Sequence, residues 1–343
     1  MKKLFVIFIM IFSVCSCSAE QEQINSTPKT RDIFAMDTYM NLKVYDNNAE
    51  TVLEKASSRV TELEKLLSVT DENSDIWKVN HADGNKVSVS GDTSGIINTA
   101  VNIGYKTDGA LDITVYPILK EWGFTTGEYK VPDNNTIENL LKNVDYRKIE
   151  TGDGYVRIPQ DFQLDLGSLA KGYTSDSIIE IFRENGVESA IVNLGGNVQT
   201  LGTKPDGSLW KVGIKNPFQP DSEMCIVSVE DKAVITSGNY ERYFTGEDGK
   251  NYWHIIDSKD GRPADNGLVS VTVIGSNGMM CDSLSTALFV AGTENAVEYW
   301  QNNGDFDMIL VTDDGKLLIT ENIEKNLKVI CSMPVEVISH EEK

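Results

Sequence analysis

The chain has 343 residues, of which 40% are hydrophobic and 24% charged, and its formal net charge at pH 7 is −21. That length can bury a substantial core, either as one large domain or as two modest ones. The acidic balance, with no cluster of lysine or arginine, argues against nucleic acid as a partner. Any anionic ligand must instead be held by local features, such as a helix N-terminus, a lysine or a bound cation.

The first 30 residues are typical of an export segment. Residues 1–16 contain two lysines, an apolar run and then small residues, and the apolar run is too short for a stable membrane span. The ending Val14-Cys15-Ser16-Cys17 resembles a bacterial lipobox, which implies cleavage before Cys17 and lipid on its thiol; plain secretion, with Cys17 unused, is the alternative. The polar run that follows favours the anchor. We predict a signal peptide over 1–16, a flexible tether over 17–30 and a lipid-anchored protein on the extracytoplasmic face of the membrane.

Hydrophobic spacing then predicts strands and helices in mixed order. Period-two alternation predicts a strand over 33–45, and helical spacing predicts helices over Ala49–Leu67 and 93–107. The later predicted elements are a helical piece near 137–143, strands over 189–202, 210–216, 225–229, 233–236, 253–256 and 268–274, helices over 279–292 and 294–301, and strands over 307–312 and 317–319. No repeat and no Pro/Gly linker divides the chain. We therefore predict one α+β unit with a mixed or antiparallel sheet over 31–332, and a loose tail over 333–343.

The first candidate site is the stretch 165–173, which reads Asp-Leu-Gly-Ser-Leu-Ala-Lys-Gly-Tyr. An alternating run leads into it and an amphipathic run leaves it, so we predict a strand that stops at a glycine turn and becomes a helix. A helix start offers free backbone N–H groups to an anion, and Asp165 and Lys171 come together there. The stretch suggests a site for a phosphate-bearing ligand. The alternative is an ordinary turn capped by Asp165.

A paired glycine and a set of oxygen side chains are the next candidates. Gly195 and Gly196 interrupt an apolar strand, which usually marks a bulge or a close backbone approach. Asp282 and Thr286 are four residues apart on a predicted helix and share a face, with Ser285 nearby. Such hard oxygens suit Mg²⁺ when phosphate and water complete the octahedron. The alternative is that Asp282 caps the helix and Thr286 bonds back to a carbonyl group.

His254 is the one histidine inside a well-patterned strand region, and a base near a phosphoryl centre would need this residue type. A lone histidine is more often structural. Ser237 lacks the glycine elbow of a hydrolase nucleophile. The sequence has neither a Walker loop nor a Gly-x-Gly-x-x-Gly turn, so a dinucleotide would not bind through a Rossmann fold.

Several of these stretches, in this order, closely resemble the ApbE family of flavin transferases (FAD:protein FMN transferases). The matching stretches are 36–38, 110–124, 165–173, 192–197, 236–244, 254–257 with 261–263, and 282–288. They span nearly the whole chain beyond the tether. The resemblance implies a single ApbE-type, T-fold-like unit with FAD in a central cleft. It also implies transfer of FMN from FAD to a threonine of an acceptor protein, a flavin-carrying redox subunit, with release of AMP.

The resemblance also implies roles for individual residues. Eight positions would contact FAD: Met36, Thr70, Ala110, Leu111, Asp112, Asp165, Lys171 and Ile256. Asp282, Ser285 and Thr286, with an oxygen of Ser168, would hold Mg²⁺. His254 would assist proton removal, and Asp282 would serve catalysis through the metal.

Three positions depart from the family pattern. Asp37 stands where glycine is usual, Thr70 where an aromatic residue is common, and Ser285 where some members have a carboxylate. Two other functions stay open on the sequence alone. One is an FAD pyrophosphatase that passes FMN to water, and the other is a flavin-binding lipoprotein without catalysis.

Overall fold

The computed structural model describes residues 27–340. The lipidation predicted at Cys17 and the signal peptide over 1–16 lie outside those residues. Within 27–340, no helix is both long and apolar enough to cross a membrane. The elements in chain order are β1 (Lys29–Ala35), β2 (Thr38–Val44), α1 (Ala49–Leu67), α2 (Asp75–Asn80), β3 (Val87–Ser88), α3 (Gly91–Lys106), α4 (Tyr116–Glu121), α5 (Asn134–Leu140), β4 (Glu150–Gly152), β5 (Tyr155–Arg157), α6 (Ala170–Glu184), β6 (Ala190–Leu194), β7 (Asn197–Leu201), β8 (Trp210–Asn216), β9 (Gln219–Val229), β10 (Ala233–Gly238), β11 (Tyr243–Thr245), β12 (Asn251–Trp253), β13 (Ile256–Asp257), β14 (Arg262–Pro263), β15 (Leu268–Gly275), α7 (Gly278–Asn303), β16 (Asp307–Thr312), β17 (Leu317–Thr320), β18 (Leu327–Val329) and β19 (Val335–Ile338).

A nine-stranded sheet in the order β1-β2-β6-β7-β10-β15-β16-β17-β19 forms the centre of the molecule. Neighbouring strands are antiparallel except β17 and β19, which are parallel. The predicted α+β class with a mixed sheet is confirmed.

Each face of the sheet is covered by a different layer. Side chains alternate along a strand, so Val273 of β15 packs in the core that α7 shares, while Ile274 packs on the opposite face. That opposite face is covered by the small sheet β18-β9-β8, through residues such as Trp210. Helices α1 and α6 pack together over β2 and β6, in a core that includes Phe182. The middle strands of the sheet are therefore buried on both sides, whereas β1 and β2 leave one face exposed, for example at Phe34 and Tyr39. The helices position the site.

The strand predicted over 33–45 is two strands joined by a tight hairpin. Met36 and Asp37 form its two-residue turn with φ of 50° and 55°, and Ala35 pairs with Thr38. Both turn residues are in the left-handed region, which is the reason that glycine suits position 37. Asp37 keeps the turn because aspartate tolerates this region better than most residues.

The glycine pair makes a second hairpin of the same kind, so of the two alternatives given for it the bulge is wrong. Gly195 and Gly196 have φ of 63° and 100° and join β6 to β7, with Leu194 paired to Asn197. The close approach is confirmed, because a Cβ on Gly195 would lie 2.1 Å from Thr38 Oγ1. The tips of the two hairpins are thus in contact.

Three other boundaries differ from prediction. The alternating run that leads into Asp165 is a strand only at its beginning, β5. Its second part, 162–166, is not a strand, because the Leu164 backbone bonds to the Asn80 side chain (N···Oδ1 2.7 Å, O···Nδ2 2.9 Å) instead of to a neighbouring strand. β1 begins at Lys29, inside the predicted tether, and the strand predicted over 253–256 is divided between β12 and β13. The prediction of a loose tail is wrong, because the tail contains β19, which pairs with β17. Its valines are exposed and only Ile338 is buried, so backbone pairing rather than core packing holds this strand.

The two helices predicted over 279–292 and 294–301 are the two halves of α7. Gly292 interrupts the helical backbone with φ 81°. The Asn266 amide donates to the carbonyl groups of Phe289 and Val290 at 2.9 and 2.7 Å, and so satisfies the end of the first half.

Candidate active site

The site is built where α6 and α7 cross at two glycines. A Cβ on Gly172 would lie 2.3 Å from the Gly278 carbonyl oxygen, and one on Gly278 would lie 2.5 Å from Ser175 Oγ. No side chain fits between the helices at this point. Both helix N-termini therefore lie close together, and each can be reached by a side chain of the other helix.

Two carboxylates use this proximity to cap each other's helix. Asp176 of α6 accepts hydrogen bonds from the N–H groups of Gly278 and Met279, the first residues of α7, at 2.7 and 2.8 Å. Asp282 of α7 accepts one from the N–H of Gly172, in the first turn of α6, at 2.8 Å. These donors have no partner inside their own helix. Asp282 is thus four residues inside α7, whose own cap is Asn277, and the alternative that Asp282 caps α7 is wrong.

The Asp282 carboxylate is nearly out of contact with solvent, with 4% of the residue exposed. Burial raises its pKa, while the Lys171 ammonium and the Gly172 N–H partly oppose that rise. The buried amide nitrogen of Asn197 lies beside the carboxylate but makes no hydrogen bond of normal geometry. A cation bound here would offset the cost of burying the negative charge of Asp282.

The predicted hydroxyl ligands form one connected group with Ser237 of β10. Ser285 Oγ donates to the Asp282 carbonyl oxygen at 2.9 Å and lies 2.8 Å from Ser237 Oγ, which lies 3.2 Å from Thr286 Oγ1. Ser285 is fully buried and Thr286 is partly exposed. Of the two, Thr286 is therefore the hydroxyl that a ligand from solvent can reach. The alternative that Thr286 bonds back to a carbonyl group is not what the structure shows.

The start of α6 carries unused polar groups, as the sequence predicted. Within residues 27–340, the N–H groups of Ser168 and Lys171 and the carbonyl oxygen of Ser168 make no hydrogen bond, and the Lys171 ammonium has no ion pair. The N–H groups and the ammonium suit the oxygens of a phosphate, and the carbonyl oxygen suits a cation.

Asp165 lies just before this helix start and is tied to the neighbouring loop. Its carboxylate accepts the N–H of Gly167 at 2.9 Å, and its own N–H donates to the Ile113 carbonyl oxygen at 2.9 Å. The second bond joins two stretches that the resemblance assigned to FAD. Burial raises the pKa of Asp165, while the Gly167 N–H and the positive charges of Arg242 and Lys171 partly oppose that rise. Asp165 makes the turn bond of the structural alternative and also lies at the charged centre of the site.

The predicted contacts Ala110, Leu111 and Asp112 have mainly structural partners. Ala110 and Leu111 are buried in the main core. The Asp112 carboxylate accepts three hydrogen bonds, from the N–H and hydroxyl of Thr114 at 2.8 and 2.6 Å and from the N–H of Tyr146 at 3.1 Å. It therefore fixes the loop that carries Ile113.

His254 follows β12 and is held through Arg242. Its Nδ1 lies 3.2 Å from the Arg242 carbonyl oxygen, which also accepts the His254 backbone N–H at 3.1 Å. Because a carbonyl group only accepts, Nδ1 carries the hydrogen and Nε2 is left free to take a proton. Burial and the charges of Arg242 and Lys171 lower the pKa of His254 to about 4, so the imidazole is neutral at physiological pH.

The other predicted contacts lie at different distances from this centre. Met36 reaches α6, where its Sδ accepts from Thr174 Oγ1 at 3.8 Å. Ile256 is buried in a small cluster with Trp122 and Phe124. Thr70 is exposed in the loop after α1, and among the described residues its hydroxyl hydrogen-bonds only to Ser68, at 3.2 Å. The structure thus connects Met36 to the helix of the site and connects Thr70 to nothing in it.

Any metal held here would depend on mixed oxygen donors. Within the described range 27–340, no group of three or more His, Cys, Asp and Glu side chains is placed to bind a metal ion. Asp282, Thr286 and the Ser168 carbonyl oxygen instead offer one carboxylate and two neutral oxygens. That set fits Mg²⁺ only when a phosphate-bearing ligand and water supply the remaining positions.

Sequence reasoning missed Asp176, Arg242 and the bonding role of Ser237. Asp176 is one turn beyond Gly172, toward the buried side of the amphipathic helix α6. A carboxylate on the apolar side of a helix is unusual, and that feature of the sequence could have indicated a functional residue. Ser237 and Arg242 lie in the matched stretch 236–244, but nothing in their spacing indicates which residues they contact.

Comparisons with known proteins identify the family of the chain. The ApbE family model matches residues 36–310. FAD:protein FMN transferases from Klebsiella pneumoniae and Vibrio cholerae are 33% and 30% identical to the chain, over 81% and 92% of its length and 87% and 96% of theirs. The crystal structure of the ApbE protein of Thermotoga maritima superposes with a TM-score of 0.82 at 31% identity, covering 88% of this chain and 99% of that one. The chain belongs to the ApbE family.

Proposed function

We propose that the protein is an Mg²⁺-dependent FAD:protein FMN transferase, anchored by lipid on the outer face of the cytoplasmic membrane. The observation that carries the proposal is the start of α6. The N–H groups of Ser168 and Lys171 and the Lys171 ammonium have no partner within residues 27–340, and they adjoin the Gly172 N–H, which donates to the Asp282 carboxylate. Anion-binding and cation-binding groups at one point suit a pyrophosphate with its counter-ion. The relatives named above act on FAD and a protein, and that supports the choice of substrates.

The reaction is a phosphoryl transfer. The hydroxyl oxygen of an acceptor threonine attacks the phosphorus of the FMN half of FAD, the pyrophosphate P–O bond breaks, and AMP leaves with the bridging oxygen. The free Nε2 of His254 accepts the threonine proton. Lys171 and the N–H groups of Ser168 and Lys171 bind the phosphate oxygens and orient them.

Mg²⁺ would be held by Asp282, Thr286 and the Ser168 carbonyl oxygen, with Ser285 adjoining. It supplies charge neutralisation to the pyrophosphate and to the oxygen that leaves. The protein needs such help because its net charge of −21 repels an anionic substrate. Met36, Thr70, Ala110, Leu111, Asp112, Asp165 and Ile256 remain predicted contacts of FAD. Asp165 has the strongest support, since it lies beside the helix start.

Two mass measurements test the reaction. The protein is incubated with FAD, Mg²⁺ and a candidate acceptor, and both the acceptor and the small products are weighed. We expect the acceptor to gain one FMN and an equal amount of AMP to appear. AMP with free FMN and an unmodified acceptor would indicate a pyrophosphatase, and FAD bound without AMP would indicate a binding protein.

Two further measurements test the flavin site and the anchor. Asp165→Ala should weaken FAD binding in a titration while the melting temperature stays near that of the wild type. Mass spectrometry of the mature N-terminus should find a diacylglyceryl group on Cys17. An unmodified N-terminus that begins elsewhere would overturn the anchor but not the transfer reaction.

A further inference from the structure

The hydroxyl group of Ser237 lies between the two hydroxyls predicted to bind the cation. It is 2.8 Å from Ser285 Oγ and 3.2 Å from Thr286 Oγ1. Ser237 is held in β10, where its backbone pairs with Val271 of β15. The hydroxyl therefore comes from a rigid strand that lies across from α7.

The directions of these hydrogen bonds follow from the number of protons available. Ser285 Oγ donates its single proton to the Asp282 carbonyl oxygen at 2.9 Å, because a carbonyl group only accepts. Ser285 can then only accept from Ser237, so the Ser237 proton points to Ser285. Ser237 can in turn only accept from Thr286. The proton order is Thr286 to Ser237 to Ser285 to the Asp282 carbonyl oxygen.

This order determines what Thr286 offers to the cleft. Its only proton is used toward Ser237, so Oγ1 presents lone pairs alone to any further partner. A cation needs such an oxygen, whereas an anion would need the proton. We infer that Ser237 is a positioning residue for the cation site. It orients Thr286 Oγ1 so that a lone pair of this oxygen faces the cation, and it links Thr286 to the Asp282 backbone. The inference rests on the proposed function, since that proposal supplies the cation.

The predicted consequence is a loss of metal affinity without loss of fold. Partners that orient metal ligands typically change affinity by about 10- to 100-fold when they are removed. Ser237→Ala frees the Thr286 proton to turn toward the cleft, where it opposes the cation. Ser237→Thr keeps the hydroxyl group and should keep a metal affinity close to that of the wild type.

The experiment measures metal binding directly, with Mn²⁺ as the probe. The full chain is titrated with Mn²⁺ in the presence of FAD and without an acceptor, and the electron paramagnetic resonance signal reports free Mn²⁺. We expect Ser237→Ala to raise the dissociation constant at least about tenfold, and Ser237→Thr to stay within about threefold of the wild type. Ser237→Cys, which fills the same space with a poor hydrogen-bonding atom, should behave like Ser237→Ala.

Thr236→Val is the matched control on the same strand. Thr236 Oγ1 bonds to Thr272 Oγ1 at 2.8 Å, and successive strand residues face opposite sides, so this change removes a hydroxyl pair away from the site. It should lower the melting temperature at least as much as Ser237→Ala and leave Mn²⁺ affinity unchanged. Wild-type affinity in Ser237→Ala and Ser237→Cys would overturn the inference while leaving the proposed reaction intact. A wild type that binds no Mn²⁺ in the presence of FAD would overturn both the inference and the metal dependence.

Discussion

Asp176 and Asp282 each accept hydrogen bonds from the N-terminus of the helix that carries the other. Asp176 satisfies Gly278 and Met279 at the start of α7, and Asp282 satisfies Gly172 at the start of α6. The two carboxylates have the same structural function, but the Asp282 carboxylate also lies beside the Lys171 ammonium. Stability and catalysis can therefore be separated by changing one or the other.

Asp282→Asn and Asp176→Asn form the first matched pair. Each variant loses a negative charge at a helix N-terminus, which should cost about 1 kcal/mol of unfolding free energy. Asp282→Asn keeps the one oxygen that its bond to the Gly172 N–H needs, whereas Asp176 uses one oxygen for each of its two N–H donors, so Asp176→Asn also loses a hydrogen bond and should cost about 1 kcal/mol more. Asp282→Asn should also slow AMP release by about a hundredfold, because electrostatic stabilisation of the transition state is typically worth on the order of 3 kcal/mol. AMP release against Mg²⁺ concentration, with thermal melting alongside, checks both effects. Equal turnover in the two variants would make Asp282 a structural residue.

Gly172→Ala tests the helix crossing. Its Cβ would lie 2.3 Å from the Gly278 carbonyl oxygen and 2.6 Å from the Asp282 Cβ, so α6 and α7 must move apart. Overpacking of this kind costs about 1–3 kcal/mol. Gly95→Ala in α3, where no atom lies within 4 Å of the added Cβ, should instead stabilise the protein by about 0.5–1 kcal/mol. Urea unfolding gives both values, and a neutral Gly172→Ala would show that the crossing has room to relax.

His254 should act as a base well below the usual pH range of histidine. Burial first, then the charges of Arg242 and Lys171, lower its pKa to about 4. The acid limb of kcat/KM for FAD should therefore lie well below 6.5, where an ordinary histidine would already lose about tenfold by pH 5.5. His254→Gln should lower the transfer rate by about 100-fold or more while FAD still binds. If kcat/KM of the wild type fell with an apparent pKa near 6.5, and this fall were absent in His254→Gln, the lowered pKa of His254 would be contradicted.

The same shift has a defined effect on stability. The unfolded imidazole takes up a proton as the pH falls below 6.5, and the folded one does so only near 4. Because the unfolded state binds more protons in that window, His254 contributes a loss of stability as the pH falls from about 6.5 to about 4. The unfolding free energy of the wild type should therefore fall relative to that of His254→Gln as the pH is lowered from 7.5 through this window.

Asp37→Gly tests the hairpin turn. Asp37 has φ of 55°, a conformation that costs an L-residue about 1 kcal/mol and glycine very little. The change should raise the unfolding free energy by up to about 1 kcal/mol. Ser58→Gly in the middle of α1, where glycine lowers helix propensity, should lower it by about 0.5 kcal/mol. Urea unfolding of both variants checks the sign, and a destabilised Asp37→Gly would mean that the carboxylate has a role of its own.

The sequence predicts those features that are determined by residues close together in the chain, and it fails where the partner of a residue lies on a distant element. Helix α1 and the break in α7 at Gly292 follow from spacing along the chain, and both are predicted. Asp165 and Lys171 are predicted as neighbours because they are six residues apart at one turn. Leu164 is predicted wrongly as a strand residue, because its partner is the side chain of Asn80, 84 positions away. Asp176 and Ser237 escape prediction for the same reason, since their partners lie on other elements.

The pairing of β19 with β17 also determines how the molecule behaves toward copies of itself. The edge at β1 carries the charged side chains of Lys29, Arg31 and Asp32, which discourage another strand from adding there. β17 reads Leu-Leu-Ile-Thr, and β19 covers its outer edge. A chain cut after Met333 would expose that apolar edge as a template for strand addition. Loss of residues 334–343 should therefore leave the fold largely intact and make the protein prone to self-association.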